Sequence, residues 1–133
     1  MIDRTAIARD FEAAPFHRWL GVKVLQAAED GVEVEIPWRE EFYAQVERTY
    51  MHGGIIASII DFTADFAIAV KLGHALPTID LRTDYHKAVP GGTVRARGGV
   101  IKAGRTIVTA EARIFDAAGA LVASGRGAYL NRA

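Results

Sequence analysis

Between Ile55 and Val70 the chain is apolar at helical length, and the only charges in that stretch are Asp61 and Asp65. The apolar residues are not confined to one stripe, so a helix here is surrounded by protein on nearly every side. In a chain of 133 residues only a sheet curved around the helix covers that much apolar surface. The helix opens at Gly53 or Gly54 and continues to about Leu72, where Gly73 can adopt the left-handed closing conformation. The two aspartates divide it into uncharged runs well short of the ~18 residues of a membrane span. A carboxylate in such surroundings is costly unless paired, hydrogen-bonded or protonated, which makes Asp61 the leading candidate for chemistry.

The rest of the chain supplies the sheet. Asp3 can cap a short helix to about Ala14, with Pro15 as its stop. Val22 to Val24 and Val32 to Ile36 alternate about Glu29-Asp30-Gly31 and read as a hairpin, ended by Pro37. Residues 38–51 show no dominant period and read as a loop of functional length. Four further strands follow, around residues 79–85, 94–100, 106–115 and 120–130, joined by short turns that include Pro90-Gly91-Gly92 and Asp116 to Gly119. The expected architecture is a single α+β domain over residues 1–133, a long central helix wrapped by a curved antiparallel sheet of about six strands.

Lys+Arg and Asp+Glu are equal at 16 each, which argues against an electrostatic nucleic-acid binder or a polybasic membrane-surface protein. Cysteine is absent, excluding disulfides, thiolate metal sites and a cysteine nucleophile, and fitting a reducing compartment. Charges interrupt the N-terminus where a signal peptide needs an apolar core, so the expected location is the cytoplasm. His74, Asp84 and His86 share no ligand-spaced motif and read as solvated surface; no metal is expected. No Gly-x-Ser-x-Gly elbow, Walker loop or dinucleotide fingerprint occurs.

Ser58, Asp61 and Asp65 fall three and four positions apart, on one stripe of the helix. Ser58 reads as a small packing residue, and Asp65 as a partner for an arginine or a backbone amide. At the helix start, free N–H groups of Gly53 and Gly54 and the positive dipole end form a site for an oxygen that becomes negative during reaction. Asp61 lies eight residues beyond Gly53, roughly 12 Å along the axis at 1.5 Å per residue, too far to act on a carbonyl held by Gly53 of the same helix. Two such helices related by a two-fold axis would bring the Asp61 of one copy to the Gly53 of the other, giving two shared sites per dimer.

The chain resembles the hotdog-fold acyl-CoA thioesterases, and within them the phenylacetate-degradation (PaaI-type) group. The resemblance rests on His52-Gly53-Gly54 with an acid nine residues after the histidine, on Thr78-Ile-Asp-Leu-Arg-Thr-Asp-Tyr85 followed by Lys87-Ala-Val-Pro-Gly91, and on Gly125-Arg-Gly-Ala-Tyr129. It implies hydrolysis of an acyl-CoA thioester by a homodimer or dimer of dimers, without metal or redox cofactor. The Gly53 N–H would polarise the carbonyl and His52 would help position it. Asp61 of the opposite copy would act as nucleophile or as the base that activates water. Thr78 matches a hydroxyl residue that holds the acid or the water. Many relatives carry Asn or Gln six or seven positions before the His-Gly pair; here Val46 is at six and Gln45 at seven, and Gln45 is the better candidate.

Gly54, Tyr50, Phe62, Asp65 and Lys87 are the candidates on the substrate side. The acyl group is expected in a tunnel lined by Phe42, Tyr43, Tyr50, Phe62 and Phe66, whose aromatic content suits an aryl or medium-length chain. Lys87 is among several cations available to coenzyme A phosphates. Two other functions compete: a hotdog acyl-thioester hydratase or dehydratase, and a non-catalytic acyl-CoA binding module.

Overall fold

In the computed structural model, which describes residues 1–132, the long helix is the axis on which everything else is placed. This helix, α3 (Gly53–Leu72), follows two shorter ones, α1 (Arg4–Ala13) and α2 (Pro15–Leu20). α3 closes at Gly73, whose φ of 103° is left-handed. Ile56, Ile59, Ile60, Phe66, Ile68 and Val70 of α3 are all buried, so the expected apolar cylinder is covered around most of its circumference. Among the described residues no helix is long and apolar enough to cross a membrane.

The cover is a six-stranded, wholly antiparallel sheet: β1 (Lys23–Ala28), β2 (Gly31–Ile36), β3 (Thr78–Tyr85), β4 (Val94–Ala103), β5 (Ile107–Phe115) and β6 (Leu121–Leu130). Alternating residues of β2, β5 and β6, among them Val34, Ile36, Val108, Ile114, Ala123 and Tyr129, enter the same core as the helix. The strand order is β1-β2-β4-β5-β6-β3. This is the α+β hotdog architecture anticipated above.

The first helix ends where expected, with Ala14 as its C-cap and Pro15 next. What the sequence reading did not include is α2, which Pro15 opens at its first turn, where a missing N–H costs nothing and the fixed φ suits a helix, and which ends at Gly21 with φ 73°. One local expectation needs correction: Pro90-Gly91-Gly92 is a crossover and not a hairpin turn. β3 pairs with β6, Thr78 opposite Tyr129 and Tyr85 opposite Ala123, while β4 joins β2 on the far side of β5. A Pro-Gly-Gly run shows that the chain bends, and carries no information about which strand it then meets.

α1 is tied to the helix and to the sheet: Arg4 Nε donates to the Val70 carbonyl at 2.9 Å, and Glu12 Oε2 accepts the Val24 N–H at 2.7 Å. Asp3 caps α1 as expected, accepting the Ala6 N–H. The loop before α3 is ordered by its own hydrogen bonds. It holds a short 3-10 turn (Glu40–Phe42), an isolated bridge between Tyr43 and Met51, and a Gln45 Oε1 that accepts the Thr49 N–H at 3.1 Å.

Candidate active site

Asp61 stands halfway along α3, only partly buried. Its Oδ1 accepts from Thr78 Oγ1 at 2.9 Å and from Tyr129 Oη at 3.1 Å; the same phenol lies 3.2 Å from the Asp61 carbonyl. Thr78 and Tyr129 are direct cross-strand neighbours on β3 and β6, so one rung of the sheet supplies both donors. Burial, with the Asp61 charge adding to it, pushes the Tyr129 phenol well above the usual tyrosine range, so it stays a donor. Gly127 makes room for it, because a Cβ there would fall 2.5 Å from Tyr129 Oη. Among the described residues no cation pairs with Asp61 and no donor reaches its second oxygen. The carboxylate is held by one oxygen and free at the other.

Asp61 also lines a cleft of about 350 Å³ between α1, α2 and α3, together with Phe11, His17, Phe62, Asp65 and Phe66 among others. The Phe11 and Phe66 rings stack at 4.2 Å, and His17 lies 4.6 Å from the Phe62 ring. His17 Nδ1 is 2.8 Å from the Phe11 carbonyl and therefore carries a proton. Burial lowers the His17 pKa, keeping the ring neutral. Asp65 Oδ1 accepts the Leu76 N–H at 2.9 Å, the backbone-amide partnership its position suggested. Burial pushes the Asp65 carboxyl up to about 6, with the Asp61 charge adding and the Leu76 hydrogen bond opposing. Ser58 Oγ donates to the Gly54 carbonyl at 2.9 Å, turned back on its own helix.

At the start of α3 the structure changes one expectation. Only one of the two glycine amides is free. His52 is the N-cap, and its Nδ1 accepts the Gly54 N–H at 2.8 Å. The Gly53 N–H has no acceptor among the described residues. Since Nδ1 accepts, the His52 proton sits on Nε2, which is left as a donor. A Cβ on Gly54 would lie 2.9 Å from that Nδ1, so glycine is needed for the cap. Tyr85 Oη, at the far end of β3, donates to the Gly53 carbonyl at 2.8 Å.

A second cleft, about 390 Å³, opens here and is lined by Tyr50, Met51, Gly53, Ile56, Tyr85 and Lys87 among others. Lys87 Nζ is already paired with Asp116 Oδ2 at 2.7 Å, and that hydrogen bond holds the Asp116 carboxyl below its usual range. The two clefts have no residue in common. The expected tunnel residues are therefore divided: Phe62 and Phe66 lie with Asp61, and Tyr50 with Gly53. Phe42 is removed from the tunnel, because it is fully buried against Trp19 and Trp38 and lines neither cleft. Tyr43 Oη reaches the Pro90 carbonyl at 3.2 Å. Gln45, with its Oε1 committed to Thr49, retains amide N–H donors on the loop.

His86 Nε2 meets Ser124 Oγ at 2.8 Å. Among the described residues no group of three or more His, Cys, Asp or Glu is arranged to hold a metal ion. Sequence reasoning missed Tyr129, Tyr85 and His17 as site residues. The first two were signalled only by their place in the Gly125-to-Tyr129 and Thr78-to-Tyr85 segments.

The family model of the Thioesterase superfamily matches residues 49–123, from the loop before α3 into β6. A crystal structure of a protein from the same superfamily has a TM-score of 0.91 and 45% identity, covering 97% of this chain and 98% of that one. A candidate esterase of Saccharolobus solfataricus is 31% identical over 120 residues, 89% of this chain and 84% of its own length. The E. coli PaaI protein, from the phenylacetic acid degradation operon, has a TM-score of 0.81 at 18% identity over 96% of this chain and 95% of that one. That last likeness shows a shared fold and not the narrower PaaI-type group. With a superfamily match that runs from the start of the Gly53 helix into β6 and relatives spanning most of its length, the chain belongs to the Thioesterase superfamily, a membership that supports hydrolysis of thioesters.

Proposed function

We propose that the protein is a cytoplasmic acyl-CoA thioesterase for aryl or medium-chain acyl groups, working as a homodimer or dimer of dimers whose sites are each shared by two copies. The observation that carries this reading is that one edge strand holds both half-sites. β3 begins at Thr78, which grips Asp61, and ends at Tyr85, which grips Gly53. Its inner side pairs with β6, and its outer side pairs with no strand among the described residues. Ile79 on this edge is 53% exposed, and an open edge of this kind is a template for another strand.

Antiparallel pairing of two β3 strands about a two-fold axis near Leu81 and Arg82 sets the Thr78 end of one copy beside the Tyr85 end of the other. The strand spans roughly 23 Å at 3.3 Å per residue. Asp61 of one copy then approaches Gly53 of the second, removing the separation that isolates them within one chain.

In such a site the thioester oxygen takes the Gly53 N–H and the positive end of α3. The free Asp61 oxygen of the other copy attacks the carbonyl carbon, or takes a proton from a water that attacks. The carbon–sulfur bond breaks, coenzyme A leaves as the thiol, and water completes the acid. Thr78 and Tyr129 hold the acid's other oxygen so that the reactive one keeps its direction. Phe11, Phe62 and Phe66 offer an apolar wall for the acyl group, and the Tyr50 side of the Gly53 cleft accommodates the pantetheine arm. Gln45 and the His52 Nε2–H are the additional donors for the thioester or its water.

Thiol release measured across matched aromatic and aliphatic acyl-CoA thioesters tests the reading. Hydrolysis of aryl or medium-chain members that disappears in Asp61→Asn is expected. Hydration of enoyl-CoA without thiol release, or binding without turnover in the wild type, would replace it with the hydratase or the binding module.

A further inference from the structure

We propose that the alternating charges Asp80, Arg82 and Asp84 on the open edge of β3 fix the register in which two copies join: the two-fold axis passes beside Leu81, and each Arg82 pairs with the second copy's Asp80. This rests on the reading above, that the copies meet through β3.

The side chains of β3 divide between two faces. Thr78 reaches Asp61 and Leu81 packs on the core, while Asp80, Arg82 and Asp84 lie opposite Ala128, Arg126 and Ser124 of β6 on the face turned away from the helix. Directly opposed residues of an antiparallel pair share a face. An axis between Leu81 and Arg82 would set a core-facing side chain against a solvent-facing one, so it passes beside one residue or the other. Axes farther along the strand draw the Thr78 end of one copy away from the Tyr85 end of the other, and Asp61 away from Gly53 with it.

The charges separate the two remaining choices. Arg82 already faces Arg126 on β6, and Arg126 has no ion pair among the described residues. The contact of Arg82 with Asp84, at 3.3 Å, joins side chains that are 72% and 47% exposed, which makes it weak. An axis beside Arg82 sets Arg82 against Arg82 and Asp80 against Asp84. Four arginines then run across the interface in one row, flanked by two acid pairs. An axis beside Leu81 sets each Arg82 against an Asp80, so the row passes from Arg126 and Arg82 to Asp80 and Ala128. Charges on an edge strand often blunt pairing; here the signs alternate, so the edge repels in one register and complements itself in the other.

The core side agrees, because Leu81 then meets Leu81 in place of Thr83. The two registers differ by a slide of two residues, roughly 6.6 Å at 3.3 Å per residue. That distance decides whether Asp61 of one copy reaches the amide of the other.

The chain contains no cysteine, so introduced cysteines report only the designed contacts. A disulfide needs Cα atoms within about 7 Å, which directly opposed residues meet and residues two positions out of register do not. Leu81→Cys and Thr83→Cys leave every charge in place. In the full-length protein, confirmed as a dimer by sedimentation, Leu81→Cys should cross-link to itself under mild oxidation, and its mixture with Thr83→Cys should give no 81–83 disulfide. Asp80→Cys mixed with Arg82→Cys, solvent-facing probes that keep one Arg–Asp pair, should cross-link between unlike chains. Asp80→Arg and Arg82→Asp should each weaken the dimer about tenfold or more, and mixing the two should restore a heterodimer.

An 81–83 disulfide in place of the 81–81 one would move the axis to Arg82 and overturn the register while leaving the shared dimer. A monomer, or a dimer that forms none of these disulfides, would remove pairing through β3, and the reading above would fail with the proposal. Self-cross-linking of Leu81→Cys together with wild-type dimer affinity in both charge variants would show that Asp80 and Arg82 do not set the register.

Discussion

Thr78 and Tyr129 stand opposite one another on neighbouring strands, and both hydroxyls converge on one oxygen of Asp61, at 2.9 and 3.1 Å. The arrangement combines local and distant causes. Position 61 brings the acid to the inner side of a helix, and a cross-strand pair formed by the two ends of the C-terminal half meets it there.

Removing either hydroxyl should therefore reduce turnover more than it reduces stability. Hydrogen bonds to a charged group contribute about 1.5–3 kcal/mol, so Thr78→Val and Tyr129→Phe should each lower kcat roughly ten- to hundredfold while substrate affinity changes little. Gly127→Ala should reproduce the Tyr129→Phe defect by displacing the phenol, with a stability loss of about 1–3 kcal/mol from overpacking. Steady-state kinetics and urea melts of the three variants check this. A Gly127→Ala protein with wild-type turnover would break the connection between β6 and the acid.

Asp65 makes a separate prediction about pH. Burial raises its folded pKa from 3.8 to about 6, so between those values the folded state binds more protons than the unfolded one. Its contribution to stability is present at low pH and is lost as pH rises toward and through 6. Asp65→Asn keeps an oxygen for the Leu76 N–H and removes the titration. The variant should gain melting temperature relative to wild type at pH 7.5, and the gain should shrink at pH 4.5. Parallel melting curves for the two proteins across this range would contradict the assignment.

The helix was legible because its cause is local: an apolar run, a glycine start and a glycine stop coincide with Gly53–Leu72. The β1–β2 hairpin was legible for the same reason, since Asp30-Gly31 sits between two alternating segments. The β3 position was not, because pairing of Thr78 with Tyr129 joins residues far apart in sequence and no turn residue specifies it. Asp61 stood out as a charge without an apolar reason to be there. The site around it did not, because Tyr129 reaches it only through the space at Gly127 and the register of β6. His52 was singled out beside its glycines, but its capping bond to Gly54, which removes one of the two amides from the site, depends on a side-chain rotamer.

The role of Asp61 divides into two chemistries that leave different marks. If its carboxylate attacks the thioester and water then opens the resulting anhydride at the Asp61 carbon, repeated turnover in heavy-oxygen water labels Asp61 itself. If it acts as a base, the label appears only in the released acid. The oxygen held by Thr78 and Tyr129 leaves the other free for either step. Peptide mass spectrometry of the α3 segment after turnover reads the outcome directly.

The shared site is tested most directly by mixing Asp61→Asn with Gly53→Pro. Proline suits the first helical position and removes the free N–H, and His52, with φ −59° and ψ 133°, already has the backbone a following proline requires. Each parent should be inactive. A mixed dimer carries one site with both lesions and one intact site, so random exchange should restore about one quarter of wild-type activity. Native mass spectrometry showing mixed dimers while activity stays at the parental level would contradict the account.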